Sequence, residues 1–184
     1  MGATGTEPRI TIADDIVTAV RAALPLQPTT RLLAMGGAEV LGAADIAAVA
    51  YAAFVGDVAW PDAVPSVAVV ADPLRLPFVE GVFDAALAMT PVDAGRLREL
   101  WRVLAPAGVL VAVVPRRSLI PRSTGIEGAQ RSGRALAALL DAAMFEPDDW
   151  VRVAGVHVVR ACKRDGLAPI GGRGATAAAR LSPA

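Results

Sequence analysis

Cysteine, histidine and lysine each occur once, as Cys162, His157 and Lys163. A lone cysteine excludes an internal disulfide and any cysteine-rich metal site, and a lone histidine leaves no imidazole cluster, so no metal is expected. Aromatic residues make up 4% of the chain, and Trp60, Trp101 and Trp150 are too dispersed to form a stacking platform for nucleic acid bases. No apolar run reaches the ~18 residues that a membrane-spanning helix needs. This holds although 54% of residues are hydrophobic, because Glu39, Asp45 and Asp57 interrupt the most apolar region. The opening "MGATGTEPRITIADD" lacks the basic start and apolar core of a secretory signal, and a cytoplasmic location is expected.

Charge of neither sign dominates, but the halves differ. Residues 1–100 hold 12 acidic and 6 basic side chains, and the remainder holds 6 acidic and 12 basic. Such asymmetry marks either an anionic partner near the C-terminal half or arginines on solvated faces, the second being the plainer reading. A chain of 184 residues forms one sizeable core. The expected division is an N-terminal extension at 1–10, one domain at 11–164, and a disordered tail at 165–184, which is rich in Gly and Ala and has no periodic apolar face.

Apolar periodicity then gives the elements. "TIADDIVTAVRAAL" spaces Ile12, Ile16, Val20 and Leu24 four apart, a helix with Thr11 and Asp14 as a variant capping box. "RLLAM" is a short buried strand ending at Gly36-Gly37, and a short helix and a strand ending near Val55 follow. "SVAVVA" and "FDAALAM" are strands joined by a proline-bracketed loop. In "TPVDAGRLRELWRVL", Thr90 is the expected N-cap and Pro91 the first helical residue, with Leu97, Leu100, Trp101 and Leu104 on one face. "APAG" turns the chain into "VLVAVVP", whose lack of polar alternation fits a strand covered on both faces. Ser132 opens a helix with Leu136, Leu139, Leu140 and Met144 on the buried stripe, and two strands around Gly155 make a hairpin. Alternating strands and helices imply a three-layer, Rossmann-like α/β fold, its mostly parallel sheet completed by an antiparallel hairpin strand. "RLLAM", "SVAVVA", "FDAALAM" and "VLVAVVP" are expected as neighbouring parallel strands.

"VVADPLRLPFVEGVFDAALAM", followed by "LRELWRVLAPAGVLVAVVPRR", resembles class I S-adenosylmethionine-dependent methyltransferases, in particular the small-molecule, type 11-like branch. The resemblance covers roughly residues 12–164 and rests on the order of the two motifs. It implies a methyltransferase fold, S-adenosylmethionine as cofactor, and a small-molecule methyl acceptor. Asp72 then lies near the adenine amino group, and the backbone after it, at Leu74, also faces the base, the alternative being that Asp72 merely starts a turn before Pro73. Gly36 and Gly37 stand for the family's glycine-rich loop, where positive φ and close ligand approach are needed. The loop is degenerate: "MGGAEVLG" puts β-branched Val40 at the last glycine position, where it is expected to crowd the ligand, and Ala34 or Met35 replaces the usual acidic residue. Asp57 stands 21 positions after Gly36, close to the ~20-residue spacing at which a carboxylate reaches ribose hydroxyls, with a solvated loop aspartate as the alternative.

The resemblance implies in-line attack on a sulfonium methyl, for which few catalytic side chains are obligatory. No catalytic residue is assigned. Asp93 is the nearest candidate base, with helix capping the plainer role; His157 reads as a packed histidine, Cys162 as an apolar filler, and Glu39 as a helix-start carboxylate. "MTPVD" replaces the Asn-Pro-Pro-Tyr motif of base and amide methylation, so no nucleic acid partner is expected, nor a membrane. The loop from Arg116 to Arg131 reads either as an ordinary solvated loop or as a lid, in which case Arg116, Arg117 and Arg122 attract an anionic acceptor. Two functions stay open: a small-molecule methyltransferase, or a catalytically inactive module of the same fold that binds or regulates, for which a homodimer is one assembly. A nicotinamide oxidoreductase is disfavoured because Gly36-Gly37 does not make the Gly-x-Gly-x-x-Gly pattern.

Overall fold

Apolar runs too short for helices pair side by side in the computed structural model, which describes residues 14–37, 40–55, 66–89, 92–116 and 131–164. The elements are α1 (Asp14–Ala23), β1 (Arg31–Met35), α2 (Ala43–Ala47), β2 (Tyr51–Val55), β3 (Ser66–Val69), β4 (Phe83–Ala88), α3 (Ala94–Val103), β5 (Leu104–Pro115), α4 (Gly133–Ala142), β6 (Phe145–Val153) and β7 (Val156–Lys163). The strands form one sheet in the order β3-β2-β1-β4-β5-β7-β6. Strands β1 to β5 pair in parallel, and β7 lies antiparallel between β5 and β6.

Both faces of the sheet are covered, which explains the missing polar alternation. Leu32 and Ala34 point into one core layer with Ile16 and Val20 of α1, while Leu33 and Met35 point into the other with Leu97 and Leu100 of α3 and Leu136 and Leu140 of α4. Among the described residues no helix is long and apolar enough to cross a membrane.

Several expectations are corrected by long-range contacts. β2 lies between β1 and β3, so "SVAV" is an edge strand and not a neighbour of "RLLAM". The N-cap of α3 is Asp93, whose carboxylate accepts from the Arg96 backbone N–H at 2.9 Å, so the helix begins at Ala94 and not at Pro91. Leu104 already pairs with Phe83, and residues 105–108 bulge out before Val109 pairs with Ala85; the "APAG" turn sits within β5. Met144 leaves the buried stripe: it is 44% exposed at φ 63, a left-handed residue closing α4. The hairpin extends further than "DWVRV", because β6 starts at Phe145, and its turn residues Ala154 and Gly155 both have positive φ, as a two-residue hairpin turn demands. Thr11, residues 117–130 and the segment 165–184 lie outside the described residues.

Leu97 is fully buried between α3 and the sheet, whereas Val79 is 73% exposed. Leu97→Ala is therefore expected to lower unfolding free energy by about 2–5 kcal/mol, and Val79→Ala to change it by less than about 0.5 kcal/mol. Urea denaturation of the two variants checks the contrast.

Candidate functional site

The chain proceeds from β1 outward through β2 to β3, then returns to the other side of β1 for β4 and β5. Such a reversal leaves a crevice beyond the C-terminal ends of the two central strands, the usual ligand position in open α/β sheets. Gly36 and Gly37 stand there with φ 70 and φ 73, values at which L side chains are strained. The Gly36 N–H donates to Val55 O at 3.2 Å, and the Met89 N–H donates to Met35 O at 3.0 Å. A Cβ on Gly37 would run into Met89 Sδ and lie 2.8 Å from its Cγ, so the methionine side chain rests directly on the glycine turn.

Val40 does not crowd this turn. It is 1% exposed, packs in the α1 layer of the core, and donates its N–H to Gly37 O at 3.0 Å. The residue in close contact is Met89, which the sequence reading did not single out. Its signal was positional: it is the first residue after the strand that pairs with β1.

Asp72 follows β3 and is exposed. Its Oδ1 accepts from the Leu74 N–H at 2.9 Å and its carbonyl from the Arg75 N–H at 2.9 Å, so the carboxylate shapes a turn with one oxygen. Because β1, β2 and β3 run parallel, the Asp72 loop and the Gly36 turn leave the same sheet edge, two strands apart. Leu74 is 52% exposed and lies against the start of α3, where a Cβ on Gly95 would be 2.7 Å from its Cδ2. The loop is held from below by Arg102, which donates to Leu76 O at 2.9 Å, Phe78 O at 2.7 Å and the Glu99 carboxylate, while Glu99 accepts from the Leu76 N–H at 3.1 Å. The hydrogen bonds from Arg102 hold the Glu99 carboxyl below its usual range. Sequence reading used Arg102 as part of a motif and missed this support. Asp57 and Glu39 lie outside the described residues.

The candidate chemical groups are occupied. Asp93 caps α3 and pairs with Arg96 at 3.0 Å. Cys162 is half-buried, and burial, followed by the charge of Asp148, raises its thiol pKa, which leaves it a poor nucleophile. Among the described residues no group of three or more His, Cys, Asp or Glu side chains is placed to hold a metal. A groove of about 210 Å³ between α3 and α4, lined by Arg98, Trp101, Leu139 and Met144, offers no nucleophile or base.

His157 is 3% exposed, and its Nδ1 accepts from Trp150 Nε1–H at 2.9 Å, which requires the neutral ring. Burial is the main cause that lowers its pKa, followed by the charges of Arg116 and Arg152.

No family model matches the sequence, and no curated protein matches it. Solved structures do match the fold. The [4+2]-cyclase SpnF is 21% identical, with 83% of this chain and 81% of that chain covered at a TM-score of 0.64. The 1,6-didemethyltoxoflavin-N1-methyltransferase of Burkholderia thailandensis, solved with 1,6-didemethyltoxoflavin and S-adenosylhomocysteine, is 22% identical over 82% of this chain and 77% of that one, with a TM-score of 0.62. The N-methyltransferase NodS of Bradyrhizobium japonicum WM9 is 15% identical over 83% and 96%, with a TM-score of 0.61. The chain thus has the class I S-adenosylmethionine-dependent methyltransferase fold.

A neutral His157 gives a signed pH dependence. Its folded pKa lies below the unfolded 6.5, so its contribution to stability is complete above 6.5 and is lost as pH falls through 6.5 toward the folded value. Urea unfolding between about pH 7.5 and pH 5.5 is expected to show stability falling more steeply in the native chain than in His157→Gln. Parallel slopes would contradict this.

Proposed function

We propose that the chain is a methyltransferase that uses S-adenosylmethionine to methylate a small molecule in the cytoplasm, without a nucleic acid partner. The observation that carries this reading is the left-handed Gly36-Gly37 turn at the point where the strand order reverses, with the Asp72 carboxylate on the same edge. The neighbour from Burkholderia thailandensis supports it, since that methyltransferase was solved with a small acceptor and S-adenosylhomocysteine.

The residues present fit such a cofactor. Gly36 and Gly37 carry no side chains of their own, so once Met89 swings aside the cofactor's amino-acid end would reach the backbone, and the Asp72 oxygen left over from the turn would accept from the adenine amino group, beside the exposed Leu74. Asp57 is the proposed acceptor for the ribose hydroxyls. S-adenosylmethionine would supply an electrophilic sulfonium methyl, with a neutral thioether as leaving group. With Asp93 committed to a helix cap and His157 buried, the contribution of the described residues is positioning, which suits an acceptor that reaches the site as a ready nucleophile.

Met89 favours a second reading. Its side chain rests on Gly37, where cofactor approach is needed, and this fits an inactive module of the same fold that binds or regulates, as a homodimer or beside another protein. A solved neighbour from Haloferax volcanii was captured in complex with the Trm112 methyltransferase activator.

Calorimetry with S-adenosylhomocysteine separates the two. The methyltransferase reading expects micromolar binding, weakened about tenfold (~1.4 kcal/mol) in Asp72→Asn, which keeps an acceptor for the turn but turns a donor toward the adenine amino group. Absence of heat at millimolar ligand, with a stable dimer in sedimentation, would support the inactive module.

A further inference from the structure

Four arginines gather where α4 begins. Arg131 immediately precedes the N-cap Ser132, Arg134 stands in the first turn, Arg116 forms a bridge with Arg131, and Arg152 lies directly across from His157. Side chains alternate along a strand, so Arg116 shares a face with Val114, and Arg152 with Trp150. Val114 belongs to the core layer of α3 and α4 and Trp150 packs against it, which places both arginines on the α4 side of the sheet. The first turn of α4 lies close over this region: a Cβ on Gly133 would be 3.6 Å from Trp150 and 3.8 Å from His157.

Among the described residues no ion pair engages these four arginines. The ion pairs there engage Arg21, Arg31, Arg96, Arg102, Arg160 and Arg164, and the first turn of α4 has no acidic residue. Residues 117–130 hold Arg117 and Arg122 against the single acidic Glu127 and so add no net negative charge. The N-terminus of a helix already carries roughly +0.5 of an elementary charge, so cations at this end repel it as well as one another. Arg131 donates through Nη2 to Val92 O at 3.2 Å, yet its Nε–H is buried and has no partner among the described residues.

The position has a direction. Arg116 follows β5 and Arg131 is tied to the connection after β4, so the cluster occupies the sheet edge where the glycine turn and the Asp72 loop also leave, on the opposite side of β1 from Asp72. We propose that this arginine cluster binds an anionic group, a carboxylate or a phosphate, carried by the methyl acceptor. The assignment to an acceptor rests on the methyltransferase reading; the anion site rests on the cluster alone. Backbone N–H groups at the start of α4 and the guanidinium donors supply the hydrogen bonds, and the ligand's charge relieves the repulsion.

The full-length chain titrated with inorganic phosphate, and separately with malonate, at ionic strength held constant with sodium chloride tests this. Saturable binding at millimolar concentration is expected, and since His157 is the single histidine, its imidazole resonances report a rise in pKa as the neighbouring charge is neutralised. The dissociation constant should increase at least about tenfold in Arg131→Gln and in Arg152→Gln. If Arg131→Gln loses its tie to Val92 and unfolds, the exposed Arg152 decides the matter. A response no different from that to chloride, or an unchanged constant in Arg152→Gln, would overturn the site. Phosphate distinguishes itself from malonate by the tighter constant of the two. Binding of S-adenosylhomocysteine without an anion response refutes the cluster and leaves the methyltransferase reading standing. An anion response without S-adenosylhomocysteine binding refutes its assignment to a methyl acceptor.

Discussion

The parallel pairing of β1 with β2 on one side and β4 on the other is the constraint from which the site follows. At the N-terminal end, the Arg31 backbone N–H, Nε–H and Nη2–H all donate to the Asp84 carboxylate, at 2.9, 2.9 and 2.8 Å, which ties β1 to β4 in one register. These hydrogen bonds hold the Asp84 carboxyl below its usual range. With that register Met35 stands beside Ala88, and the next residue of each strand, Gly36 and Met89, must emerge together. A shift of one residue would exchange the two core layers, exposing neither strand to a matching surface.

The same strand order sets where the acidic and basic halves of the chain meet. Residues 1–100 supply β3, β2, β1 and β4, and the later residues supply β5, β7 and β6, so the strands of the two halves meet at the β4–β5 pair, while α1 of the acidic half packs over β5, β6 and β7. Some of the excess arginines have local partners: Arg102 binds Glu99, Arg160 pairs with Asp148, and Arg164 reaches Asp141. These are ordinary surface or half-buried pairs. The arginines around α4 have no such partners among the described residues, and the charges of Arg116 and Arg152 add to burial in depressing the His157 pKa, against a backbone hydrogen bond with Arg131 that raises it.

One architecture carries several chemistries. Neighbours with comparable TM-scores include a cyclase and N-methyltransferases, which is the expected behaviour of a fold whose sites are built from loops on a constant sheet. For this chain the distinguishing features are therefore particular: an unbranched Met89 over the glycine turn, an Asp72 whose carboxylate is half used by its own turn, and an arginine cluster beyond β5. Methionine is the apolar side chain best suited to moving aside without loss of packing, since it is unbranched and flexible.

Features governed by neighbours within a few residues were legible along the chain. Continuous apolar runs specified β1, β4 and β5 as buried strands, 3.6-residue periodicity specified α1 and α3, and Gly155 marked the hairpin; their order was enough to indicate the fold. The glycine pair and Asp72 were also legible, because a left-handed turn and a proline-bracketed aspartate are local signals. Long-range packing set which strand lies between β1 and β3, that Val40 faces the core while Met89 meets Gly37, that Arg102 holds the Asp72 loop, and that Arg152 comes to the start of α4. Each of these depends on pairs far apart in the chain, and periodicity records which face a residue takes but not which distant residue will stand opposite it.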